Sequence, residues 1–264
     1  MGKKENHKKD LANLFDEFLS TGDEEKIVEY IISNSNLPGP RANLELAQAF
    51  AEVVEDYFAK NPERLWSLSL KLTEISPDEA PVNDPKEFLP FCGARAMGAI
   101  GSASPPFFTK TLSLLKELAN DSRWRTREAV AMAIQKLIEK QGQKTLRELE
   151  SWIQKDNWLV MRAVAAGVAE PALLTNKQNT QWALDLHKKI FEQILNTKEL
   201  KSEEFKKLKQ ALGYTISVVI NSIPKEGFEY IRKLIDTRDP DILWIIKNNL
   251  KKKRLTKNFP EEVA

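Results

Sequence analysis

The sequence predicts an all-α protein, a right-handed solenoid of about five helical hairpins behind a helical N-terminal cap. Three observations predict it. Apolar residues recur at three- and four-residue spacing along most of the 264 residues, with no series of alternating polarity to make strands. Prolines at 62, 85, 105, 171, 224 and 240 fall between these segments or at their starts, where a missing N–H costs little. One plan then repeats: a short helix carrying leucines, a break at Asp-Ser or Asp-Asn, and a second helix.

Taken in order, residues 1–9 hold four lysines against Glu5 and read as a mobile basic tail. Residues 10–60 read as the cap, with an apolar stripe over 44–58. The repeats occupy 61–254, a second tail 255–264, and no separate second domain is expected. "KEFLPFCGARAMGAIG" has the small residues of a closely packed second helix, followed by a stripe over 107–118. "LLKELANDSRWRTREAVAMAI" and "ELESWIQKDNWLVMRAVAAGV" share the repeating plan, and Asp121 and Asp156 within them are 35 positions apart. Stripes over 181–195 and 228–235 continue it. "SEEFKKLKQALGYTISVVINS" opens on a serine cap and an acidic first turn, then places Phe205, Leu208, Leu212, Ile216 and Val219 on one face. "YIRKLIDTRDPDILWIIKNNL" is the last unit. The basic run after it, read as one continuing helix, puts Lys247, Lys251 and Arg254 on a shared face.

Over residues 62–254 these segments resemble HEAT repeats, the armadillo-like α-solenoids, including bacterial and archaeal members of undefined activity. The resemblance implies a ladder in which Asp121, Arg127, Asp156 and Arg162 bond successive repeats. The position of Arg127 agrees with that role, since it lies on the stripe of Val130 and Ile134, where a guanidinium needs an acceptor. Arg95 is a further ladder candidate, and the last unit departs from the pattern with Ile245 in place of the arginine.

Most chemistry is excluded by what is missing. Cys92 is the only cysteine, so no intramolecular disulfide forms, and His7 and His187 are too few for a histidine-based triad or a zinc site. No metal and no cofactor is expected, and His187, beside two lysines, is expected at the surface. "GARAMGAIGSAS" lacks the Lys-Ser/Thr ending of a phosphate loop. No apolar run approaches the roughly 20 residues that cross a bilayer, and "LANLFDEFLS" is broken by Asp16 and Glu17, unlike a signal peptide. A cytoplasmic protein is expected.

Charge points to partners. Residues 10–100 carry 17 acids against 7 bases, residues 101–264 carry 20 against 29, and the whole chain is only +2. The leading expectation is non-catalytic binding of a macromolecule along a concave groove, with a protein favoured over nucleic acid by the modest total charge. If nucleic acid is bound, Arg123, Arg125, Lys247, Lys251 and Arg254 are the candidate phosphate contacts. The alternative is enzymatic. HEAT-like DNA alkylation repair glycosylases use a tryptophan, an acid and an arginine from adjacent repeats, and Trp124, Glu128 and Arg162 are similar in type and spacing. That resemblance implies excision of alkylated purines from duplex DNA, although the family places aspartate where this chain has Glu128.

Overall fold

The computed structural model describes residues 2–197 and 200–264, and every regular element among them is helical. The chain divides into two compact units, Met1–Lys140 and Gln141–Ala264. No helix of the described residues is long and apolar enough to cross a membrane.

The first unit holds α1 (Lys3–Thr21), α2 (Glu25–Ser33), α3 (Leu44–Phe58), α4 (Pro62–Thr73), α5 (Phe88–Ala103), α6 (Pro105–Leu118) and α7 (Trp124–Gln141). Pro62 and Pro105 stand at the first position of their helices, where the ring fits the backbone. Helices α1, α3 and α5 pack in series, with α4 and α6 against α5 from a second layer. The centre is α5, in which every residue except Arg95 and Ala103 is buried. Its small residues allow close contact. A Cβ on Gly98 would lie 2.7 Å from the Ala133 Cα on α7, and one on Gly101 would lie 2.7 Å from Thr111 on α6. Cys92 is enclosed here, and burial pushes its thiol pKa up. Arg95 donates from Nη2 to Gln48 Oε1, tying α5 to α3.

Residues 3–9, expected as a mobile tail, are instead the opening turns of α1. Lys4 and Lys8 meet Glu52 and Asp56 of α3 at 3.0 and 2.9 Å, and His7 Nδ1 lies 2.8 Å from the Tyr30 hydroxyl. The acids supplied by α3 recruit the lysines that looked solvated in sequence.

The second unit holds α8 (Gln143–Ser151), α9 (Trp158–Val168), α10 (Lys177–Leu195), α11 (Glu203–Ser222), α12 (Pro224–Asp236), α13 (Pro240–Leu250), α14 (Lys253–Asn258) and α15 (Pro260–Val263). Here α9, α11 and α13 pack in series, with α10 and α12 as their second layer. Every residue of α9 is buried. The Ser202 hydroxyl accepts from Phe205 N at 3.1 Å, the cap expected from the sequence, and Asp239 caps α13 by accepting from Asp241 N and Ile242 N at 2.9 Å each. Ile245 cannot bond α11, but Asn249 does so one turn later. Its Nδ2 donates to Leu212 O at 2.7 Å and its Oδ1 accepts from Ser217 N at 2.9 Å.

Arg127 is 4% exposed, and its Nη1 donates to the carbonyls of Asp121 and Ser122 at 2.6 and 2.8 Å, in the loop before its own helix. The Asp121 carboxylate is held by Arg123, two residues on. Asp156 is exposed at φ +65° in the turn before α9, which makes it a turn residue. Arg162 is 8% exposed within α9. The C-terminal basic run is also broken. Helix α13 ends at Leu250 and Lys252 is extended (φ −73°, ψ 132°), so Lys247, Lys251 and Arg254 do not share one helical face. The expected tail 255–264 instead contains buried Leu255 and the short α15.

His187 is not at the surface. It is fully buried between α10 and α11, with Nδ1 2.8 Å from Ala183 O and Nε2 3.0 Å from Thr215 Oγ1. A carbonyl only accepts, so the proton sits on Nδ1 and Nε2 accepts from the threonine hydroxyl. Burial lowers the pKa to about 4. Because the folded pKa is depressed, the unfolded chain takes up the proton first, and stability falls as pH drops from about 6.5 toward 4. Urea unfolding at pH 7 and pH 5 will register about 2 kcal/mol of loss from this residue. His187→Gln will remove that part of the pH dependence; an unchanged slope would refute the assignment.

Candidate functional site

The stretch "SRWR" at the start of α7 organises a cleft of about 680 Å³ in the first unit. Its making begins with two arginines that look exposed in sequence and are not. Arg123 is 1% exposed. It holds the Asp121 carboxylate through Nε and Nη2 at 3.0 and 2.7 Å and donates to the carbonyls of Ile75, Ser76 and Ala80. One guanidinium thus clamps the loop between α4 and α5.

Arg125 does the same one step along. It is 4% exposed, and Nη1 donates to Glu87 Oε2 at 2.8 Å, an acid with no exposure at all. Nη2 donates to Gly39 O at 2.7 Å. Asn83, in the left-handed region at φ +75°, completes the knot: its Oδ1 accepts from Gly39 N at 2.9 Å and its N–H donates to Glu87 Oε2 at 2.6 Å. The loops around residues 39 and 83 are therefore fastened to each other and to α7. Neither arginine is free for phosphate, which corrects the expectation for Arg123 and Arg125.

What this framework presents is Trp124. The Arg125 guanidinium carbon lies 4.5 Å from the centre of its ring, within cation–π range, yet the residue remains 44% exposed. Trp124 and Glu128, one turn apart, line the same cleft, together with Leu44, Phe91 and Met132. Leu44 is 52% exposed, so the mouth has an apolar side chain on α3 as well as the indole on α7. The rim is mixed in sign: Lys3 and Arg41 against Glu45 and Glu128. The Asn43 side chain caps α3 by accepting from Leu46 N at 3.1 Å, which fixes the position of Leu44 and Glu45.

The structure thus joins two sequence-named residues, Trp124 and Glu128, and adds several that were not anticipated. Arg162 belongs to the second unit and is buried there. Lys247, Lys251 and Arg254 are exposed in the second unit. Glu87 went unnoticed, although it is the last acid before the apolar, small-residue run of α5. An acid abutting such a run is a signal of a buried ion pair.

No protein-family model and no curated protein matches the chain. Among solved structures, the crystal structure of an engineered protein is similar at a TM-score of 0.31 and 15% identity, over 88% of this chain and 99% of that one. A crystal structure of computationally designed armadillo repeat proteins for modular peptide recognition is similar at a TM-score of 0.27 and 15% identity, over 85% of this chain and 98% of that one.

Breaking the buried pair from one side strands a charge, so Glu87→Leu or Arg125→Met alone will each cost about 3–5 kcal/mol in urea unfolding. The double change Glu87→Leu with Arg125→Met will cost less than either, because both charges leave together. Single losses that add in the double variant would show that the two groups are not coupled.

Proposed function

We propose that the protein is a non-catalytic binding scaffold that holds a segment of a protein partner in the cleft beside α5. The observation that carries this reading is Trp124. A large aromatic ring is kept partly in water by a buried ionic framework, and exposure of so much apolar surface is the ordinary mark of a contact residue. Leu44, Phe91 and Met132 continue the apolar wall beneath it. The rim balances two cations with two carboxylates, so a polyanion gains little there and a peptide of mixed charge is well matched.

One observation favours a second reading. Trp124 and Glu128 open onto the same cleft, as base excision from alkylated DNA requires: an indole to stack on the flipped base and a carboxylate to stabilise the charge of the departing purine.

A library of displayed random peptides panned on the full chain tests the first reading. Enriched peptides will bind wild type and lose about tenfold in affinity to Trp124→Ala, a ring whose removal leaves the buried pair intact. Absence of enrichment, or binding indifferent to Trp124, would refute it. Release of an alkylated purine from duplex DNA, abolished by Glu128→Gln with the fold retained, would establish the enzymatic reading in its place.

A further inference from the structure

The second unit carries another recess, independent of the cleft at Trp124. It has a volume of about 530 Å³ and lies where α12 and α13 meet the last two helices. Its walls are Ile235, Leu243, Ile246, Leu250 and Val263, and Ile235 and Leu243 are 41% and 38% exposed. Lys247 and Lys251 stand at its edge, with exposed Lys253, Arg254 and Lys257 following in the chain.

Some cations of this unit are paired with carboxylates and others are not. Lys188, Lys189, Lys206, Lys209, Arg232 and Lys233 each meet a carboxylate. Among the described residues, Lys247 and Lys251 at the edge of the recess meet none, nor do Lys253, Arg254 and Lys257 after them. An apolar groove edged by uncompensated cations is complementary to a helix with one apolar stripe and acidic flanks. The short α15 sets Val263 against the recess, while its Glu262 pairs with Arg232.

We infer that this groove docks an acidic amphipathic helix of a partner protein, its apolar side chains on Leu243 and Ile246 and its carboxylates on Lys247 and Lys251. A recess of this kind accepts side chains that project into it, whereas insertion into a lipid surface needs apolar groups that project outward. A helix of about three turns presents apolar residues at i, i+3, i+4 and i+7 over a length matching the 11 residues of α13.

The test uses three synthetic helices of roughly 14 residues with the same leucine stripe and flanks of Glu, Gln or Lys, titrated by fluorescence anisotropy against the full chain. The Glu helix will bind most tightly, by about tenfold over the Gln helix, and weaken as salt rises. Leu243→Asp and the pair Lys247→Glu with Lys251→Glu will each reduce its binding by about tenfold or more. All three positions are exposed, so circular dichroism and thermal melting will confirm that the variants fold. Trp124→Ala will leave the binding unchanged, which separates this site from the first. Equal binding of the three helices, no binding of any, or indifference to these substitutions would overturn the proposal. So would sedimentation of the free chain as a dimer that Leu243→Asp dissociates, or binding of anionic vesicles in preference to the Glu helix.

Discussion

The buried pair of Arg125 and Glu87 is the constraint on which the first unit depends. Removing two charges from water costs several kcal/mol each, and the cost is offset only where geometry and further hydrogen bonds are good. Here the pair gathers Gly39 O and Asn83 into the same knot, so the desolvated charges set the positions of two loops and a helix start together. Arg123 and Asp121 repeat the device on the neighbouring loop. The arginines thus serve as internal struts, and the exposed indole between them is what the struts hold in place.

A different solution runs through the second unit. Its series of α9, α11 and α13 is joined by apolar faces and by neutral polar contacts such as Asn249 with Ser217 and Leu212. His187 belongs to the same neutral economy, keeping a single proton and two bonds inside the core. Imidazole protonation threatens this core as pH falls.

How much of this was legible follows from the range of each signal. Helix positions were, because caps, prolines and three-to-four spacing are local: the stripe over 44–58 is α3 itself, and Pro105, Pro224 and Pro240 begin their helices. The placing of Trp124 and Glu128 on one face was legible for the same reason. The fate of Arg125 was not, because its carboxylate lies 38 residues upstream and no periodicity links the two. His187 was misread from its lysine neighbours, although Leu184, Ile190 and Phe191 put it on a buried stripe. The division after Lys140 falls where α7 ends, just before Gly142 at φ +49°, and a glycine that ends a helix reads the same within a unit as between two.

The contact of Gly98 with Ala133 bears on how the cleft can behave. Where two helices touch backbone to backbone there is no rotamer to turn and no methylene to shift, so their separation is inelastic. Phe91 rides on one of these helices and Met132 on the other. The wall they form has a fixed gauge: a guest is admitted or refused by its dimensions, and adjustment falls to the guest and to the rim.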